Sequence, residues 1–257
     1  MPAFYLPLGG DTFRSTEHTV GPWGPDSQHL GPPSALLVRS LLALGNPSSA
    51  LARVTFEVLG PVPVADLTVS TSVERPGRSV ELLAASLSHE GRTVLTARAW
   101  RIVTSDTAAV AGGDVPALAP PESAVPMEIP DHWGGGYLAA VEWLSVSGGI
   151  FTPGDAQVWA RPRVAVVEGS EPSPEELLFA VVDSASGVSS RVDIRKWYAI
   201  NTDLTVHLHR RPVGEWVGMD ARTTIGPDGV GLATSVVHDV AGPVGTTAQA
   251  LFVRERS

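Results

Sequence analysis

RVTFEVL at residues 53–59 and RSVELLAASLSHEGRTVLTARAWRIV at residues 78–103 lie, position by position, over DLTVHLH at 203–209 and DGVGLATSVVHDVAGPVGTTAQALFV at 228–253. Thr55 falls on Thr205, Val80 on Val230, Leu82 on Leu232, Val94 on Val244, Thr96 on Thr246 and Val103 on Val253. Identities are few, but the apolar rhythm persists with almost no gap. A unit of this size is too long for a solenoid repeat and suits a duplicated domain. Duplicated copies diverge, and the second carries polar residues where the first does not: Asp203 against Arg53, Thr224 against Glu74, Gln249 against Ala99. That asymmetry points to the C-terminal copy as the one that carries chemistry.

Ahead of the first copy, strand-like residues around Phe13–Val20 and the turn-rich GPWGPDSQHLGPP lead into SALLVRSLLAL, residues 34–44. Pro33 suits the first turn of a helix, where its missing N–H has no intrahelical use. The run is apolar nearly all round, so this helix should be wrapped by other structure rather than lie on a surface. Gly45 and Asn46-Pro47 end it. Strand-like segments follow at Arg53–Leu59, Leu67–Glu74, Ser79–Ser88 and Arg92–Val103, with Glu90-Gly91 as the hairpin turn between the last two.

Residues 105–130, rich in Ala, Pro, Gly and acidic side chains, read as a linker between residues 1–104 and residues 131–257. The second half resumes with strand-like Leu138–Ser147 and Gln157–Val167. Ser173-Pro174-Glu175-Glu176 then has the capping-box pattern of a helix start. That helix should run through Leu177, Leu178, Val181 and Val182 to near Gly187, and strands should follow at about 197–209, 215–224, 229–239 and 245–254. Each half is therefore a strand, a buried helix and a run of antiparallel strands. A helix apolar on most faces, wrapped by one curved antiparallel sheet, is the α+β hotdog arrangement, and two in one chain make a double hotdog.

Composition narrows the function. Of the 257 residues 43% are hydrophobic, enough for a packed core. The longest apolar run, Ala35–Leu44, is interrupted by Arg39 and Ser40 and is too short for a bilayer, so no membrane partner is expected. The N-terminus has neither the basic nor the apolar region of a secretory signal, which favours a cytoplasmic protein. The absence of cysteine excludes disulfides and thiolate chemistry. The net charge is −9, and of 18 basic residues only Lys196 is a lysine. Scattered arginines on an acidic chain are not the footprint of a nucleic-acid binder, and an anionic coenzyme would need a local arginine cluster.

QHLGPPSALLVRSL along the first helix and PSPEELLFAVVDSASGVS along the second carry a family likeness. So do INTDLTVHLHRRPVGEWVGMDARTTIGPDGVG and TTAQALFVRER. On these motifs nearly the whole chain resembles the double-hotdog acyl-CoA thioesterases of the thioesterase II type, in their actinobacterial branch. The resemblance implies hydrolysis of acyl-CoA to free acid and CoA without a cofactor. It also implies an Asp, a Thr and a Gln of the C-terminal unit that hold the hydrolytic water, matched here to Asp203, Thr224 and Gln249.

Such chemistry is sensible in its own right. A carboxylate can act as general base toward water. A hydroxyl and an amide can fix the water's remaining hydrogen bonds and its line of attack. The thioester oxygen needs donors as charge develops, and a helix N-terminus supplies free N–H groups. Gly31 and Ser34 are the candidates, because Pro32 and Pro33 have none, and His29 beside them is a candidate substrate contact. Read singly, Asp203 is a solvated turn residue, Thr224 a structural hydroxyl and Gln249 a surface amide. Their joint match raises them to a site.

His207 and His209 alternate with Asp203 and Thr205 along one strand face, but two histidines without a third ligand do not make a metal site, and none is expected. No G-x-S-x-G, P-loop or dinucleotide fingerprint is present. Two other readings stay open. One is a non-catalytic binder of acyl-CoA or another acyl ligand. The other is an enoyl-thioester hydratase, which would want an Asp/His pair near the helix, and none stands out in the sequence. Self-association is compatible with the fold and not fixed by the sequence.

Overall fold

The structure, a computed structural model, describes residues 2–46, 48–113, 115–130 and 133–256. It opens on a hairpin of β1 (Ala3–Gly9) and β2 (Thr12–Ser15) that precedes helix α1 (Gly31–Ala43). Four strands follow, β3 (Ser49–Val58), β4 (Asp66–Arg75), β5 (Val80–His89) and β6 (Arg92–Val103). The segment read as a linker carries two 3-10 turns, at Ala108–Val110 and Pro121–Ser123, and a short strand β7 (Val125–Pro126). A second run of elements follows. After the short helix α2 (Gly136–Ala140) comes the hairpin β8 (Val141–Gly149) and β9 (Thr152–Pro162), then β10 (Ala165–Val167). The second helical run is α3 (Pro174–Val181), a 3-10 turn at Val182–Ser184 and α4 (Ala185–Val188). The chain closes with β11 (Trp197–Asn201), β12 (Asp203–Leu208), β13 (Val217–Ile225), β14 (Val230–Asp239) and β15 (Gly242–Glu255).

The strand order has a centre. On one side it runs β1-β2-β4-β5-β6-β3, on the other β12-β15-β14-β13-β9-β8, and β3 meets β12 antiparallel between them. At that junction Thr55 faces Thr205 directly, with their hydroxyls 3.2 Å apart. The two threonines that coincide in the sequence repeat are thus neighbours across the seam. β10 leaves the end of β9 and pairs in parallel with β1, which ties the far edge of the first half to the second.

Both helices are enclosed, as their all-round apolar sequences predict. In α1 the consecutive residues Ala35, Leu36, Leu37 and Val38 are all fully buried, and in α3 so are Phe179, Ala180 and Val181. Consecutive residues point around a helix, so no single face accounts for this. Each fully buried Leu stabilises the fold by roughly 2 kcal/mol relative to exposure. The helices also pack on each other. Gly31 permits it: a Cβ there would run into the carbonyl oxygen of Ala180. At the other crossing Arg39 pairs with Glu176 at 3.2 Å.

Several local expectations need correction. The strand read over 157–167 breaks between β9 and β10. The strand-like stretch around 13–20 ends at Ser15 and gives way to a 3-10 turn at Glu17–Thr19. Residues 138–140 are helical rather than strand, because Gly136 at φ +59° starts a turn that buries Tyr137. The second helix is interrupted at Val182–Ser184 rather than continuous. The strand expected over 197–209 breaks at Thr202: Asn201 faces Leu251 before the break and Thr205 faces Ala248 after it. Four residues there advance against three on β15, a bulge. The Glu90-Gly91 turn has both residues at positive φ, 48° and 77°, as a two-residue hairpin requires.

Candidate active site

Ser173 caps α3, its hydroxyl accepting the Glu176 N–H at 3.2 Å, and the Glu-rich first turn suits the positive end of the helix. The regular pattern ends when Val182 N–H bonds Leu178 O; the Ala185 N–H then returns to Val182 O in a tighter turn. A 3-10 stretch inside a helix changes which side chains share a face. Here it presents Asp183, buried with only 5% exposure, to the ends of three other elements.

Asn201 at the end of β11 donates its Nδ2 to Asp183 Oδ1 at 2.9 Å, and Gln249 on β15 donates its Nε2 to the same oxygen at 2.9 Å. Gln249 Nε2 also reaches the Asp183 carbonyl at 3.0 Å, and the Leu30 N–H ahead of α1 faces the carboxyl group. Burial nonetheless outweighs these donors and pushes the Asp183 carboxyl up to about 7, far above an ordinary carboxylate. Gln249 is fully buried, and its Oε1 accepts no hydrogen bond among the described residues.

His29 completes the cluster. Its ring lies flat on Tyr137, centroids 3.8 Å apart and planes within 6°. Tyr137 is anchored in turn, its hydroxyl donating to Ala180 O at 2.8 Å and lying 3.0 Å from Ser184 Oγ. His29 Nδ1 accepts the Gly31 N–H at 3.0 Å and stands 3.3 Å from Asp183 Oδ2. That approach has the distance of an ion pair but not its chemistry. Burial pulls the imidazole down to about 3, and a nitrogen that already accepts an N–H carries no proton.

The structure does not bring Asp203, Thr224 and Gln249 together. Gln249 is in the cluster, but the carboxylate it meets is Asp183. Asp203 turns away and its Oδ1 accepts the Ala250 N–H at 2.7 Å, satisfying the amide stranded at the bulge one residue past Gln249. Thr224 faces solvent beside Leu232, because side chains alternate along β13; the inward hydroxyl is Thr223, 2.7 Å from Ser189 Oγ. The two amides chosen as thioester donors are both occupied, Gly31 N–H by His29 and Ser34 N–H by Leu30 O at 3.0 Å. An Asp/His pair near a helix start, which the sequence did not reveal, is present as Asp183 and His29.

Sequence reasoning missed Asp183 because AVVDSAS reads as an ordinary helix turn. The available signal was a lone acid in an otherwise apolar helical run, since a buried carboxylate calls for partners. Two clefts of about 250 and 240 Å³ border the other end of α1, near Arg39, Leu42 and Leu44, and neither reaches this cluster.

A sheet of this order curled around central helices is a hotdog-type α+β fold. Models of the acyl-CoA thioesterase N-terminal and C-terminal domains match residues 19–102 and 121–253, and the chain belongs to that acyl-CoA thioesterase family. Among solved structures, a conserved hot dog protein of unknown function from Alicyclobacillus acidocaldarius superposes with a TM-score of 0.74 at 16% identity, covering 98% of this chain and 95% of that one. A putative thioesterase from Novosphingobium aromaticivorans gives 0.69 at 16%, covering 97% and 98%. An acyl-CoA thioesterase II from Mycobacterium marinum gives 0.69 at 15%, covering 98% and 96%. At these identities the likeness is one of fold. No functionally curated protein sequence matches the chain. Among the described residues no helix is long and apolar enough to cross a membrane.

Proposed function

We propose that this protein hydrolyses acyl-CoA thioesters through a water held by Asp183, Gln249 and Asn201. The observation that carries the reading is the buried carboxyl group with two amide donors on one oxygen, beside a Gln249 Oε1 that has an unused acceptor site. A water there donates one hydrogen to Gln249 Oε1 and the other to the carboxylate. A carboxyl group near 7 is a stronger base than an ordinary one and can later return its proton to the departing thiolate. The reaction needs no cofactor. The chain is read as two tandem hotdog units joined through residues 105–130, with one site per chain, because Ala99 stands in the first unit where Gln249 stands in the second.

The test is release of free CoA thiol from a panel of short-, medium- and long-chain acyl-CoAs. Thiol release is expected, with kcat/KM rising through about pH 7 as Asp183 ionises. Binding without thiol release would instead make the protein an acyl-ligand binder. The Asp183–His29 pair favours one second reading, hydration of an enoyl thioester. Loss of enoyl absorbance without thiol release would establish it.

Side-chain direction distinguishes the residues on β13 and β15. Gln249→Ala is expected to slow hydrolysis by about 10- to 1,000-fold, the scale of a lost oriented hydrogen-bonding group. Thr224→Ala, on the solvent face, should leave turnover unchanged and stability within about 0.5 kcal/mol. Asp203→Asn retains an acceptor for the Ala250 amide and should likewise retain most activity. Steady-state turnover of the three variants decides, and a Thr224→Ala loss equal to that of Gln249→Ala would reverse the assignment.

A further inference from the structure

The first turn of α1 has spent every amide that a helix N-terminus usually offers. Gly31 N–H goes to His29 Nδ1, Pro32 and Pro33 have no N–H, and Ser34 N–H returns to Leu30 O. The positive end of the helix therefore terminates on an imidazole. Because Nδ1 accepts, the proton of the neutral ring sits on Nε2. Nε2 has no hydrogen-bond partner among the described residues, and the side chain remains 14% exposed, more than any other member of the buried cluster formed with Asp183, Gln249 and Tyr137. The stack on Tyr137 fixes the plane in which that N–H points.

We propose that the Nε2–H of His29 is the donor that receives the carbonyl oxygen of the thioester, a catalytic residue standing in for the helix amides. The inference rests on the thioesterase reading of the Asp183 cluster. Water oxygen bonds to the carbonyl carbon while its proton passes to Asp183. The C=O electron pair moves onto oxygen, where the charge meets Nε2–H. The C–S bond then breaks as that pair returns, and the Asp183 proton goes to sulfur.

His29 keeps its proton throughout. Its burial suits the task, since a ring held to about 3 stays neutral wherever Asp183 is ionised. An imidazolium at this distance would instead hold the carboxylate ionised and weaken it as a base. A neutral imidazole bonded to a helix N-terminus is an established way to polarise a carbonyl.

Three measurements test this. In the free protein, 15N NMR of His29 should show a protonated Nε2 and an unprotonated Nδ1 from pH 6 to 8; the opposite tautomer, or an imidazolium, overturns the proposal. His29→Phe keeps a flat ring on Tyr137 and removes the donor, so kcat should fall by about 100- to 1,000-fold with KM little changed. His29→Gln, which can present an amide N–H, should recover part of that loss. Equal activity in wild type and His29→Phe overturns the assignment.

The third measurement works even if the protein releases no thiol. The infrared stretch of 13C-carbonyl octanoyl-CoA bound to the Asp183→Asn protein should lie below that of the free thioester, and the shift should vanish when His29→Phe is added. A carbonyl unshifted with His29 present, or equally shifted without it, sinks the donor role alone. Absence of thiol release by the wild type, with the shift intact, sinks only the thioesterase reading. Failure of all proteins to bind the probe sinks both.

Discussion

Asp183→Asn is expected to cut acyl-CoA turnover by about 100- to 10,000-fold, the range for loss of a general base, while acyl-CoA binding changes little. The same substitution should stabilise the protein at alkaline pH. The folded-state carboxyl is raised from 3.8 to about 7, so the native state holds its proton longer than the unfolded chain does. The cost of the buried charge is therefore absent below about pH 4, grows as the pH rises toward 7 and is full above it. Asparagine carries no charge and its Oδ1 still accepts from Asn201 and Gln249. At pH 8 the variant should exceed the wild type by on the order of a few kcal/mol, at about 1.4 kcal/mol per pKa unit.

Urea unfolding of both proteins at pH 4 and pH 8 checks this. A gap that does not widen with pH would mean that Asp183 is not a buried, reluctant carboxylate. His29 acts with the opposite sign: its folded-state value is depressed from 6.5 to about 3, so the stability it secures is present above pH 6.5 and lost as the pH falls toward 3. A stability gain on losing the Asp183 carboxylate together with a loss of turnover would mark a site maintained at the expense of the fold.

Gly31→Ala should damage both fold and site. The added Cβ meets the Ala180 carbonyl, a backbone atom in a packed helix that cannot rotate away. α1 and α3 must then separate, at a cost of about 1–3 kcal/mol for forced overpacking. For a chain of this size that corresponds to a Tm roughly 2–6 °C lower. Because the Gly31 amide holds His29 and the Leu30 amide faces Asp183, separation also disorders the cluster. Turnover should drop at least tenfold at temperatures where the variant is fully folded, since small misplacements of reacting groups are costly. Thermal melting and turnover at 20 °C measure the two effects. An unchanged Tm would show that the helices do not approach as closely as described.

The pattern of apolar residues is enough to expect two enclosed helices, strands β4 to β6 within a residue of their observed bounds, β3 with its start four residues late, and the hairpin at Glu90-Gly91. Those features depend on local periodicity and turn chemistry, which a sequence displays directly. Aligning Thr55 with Thr205 in the sequence carries no sign that the two would face each other where β3 meets β12. The chemistry was less legible. The sequence pairs Gln249 with Asp203 on β12, whereas the carboxyl group that Gln249 meets is Asp183 in the helical run. Thr224 is the immediate neighbour of the inward-facing Thr223, and in a strand a shift of one position exchanges core for solvent.

Whether Asp183 continues a helix or enters a 3-10 turn, whether β15 bulges at Ala250, and how near α1 comes to α3 are set by packing between segments remote in sequence. The sequence by itself determined the two apolar helical runs and most of the strands that follow each of them, because those depend on local periodicity. Only the tertiary structure decided that Asp183, Asn201, Gln249 and His29 meet, because burial and a partner's approach, not residue type, shift the proton affinity of a carboxyl group and an imidazole.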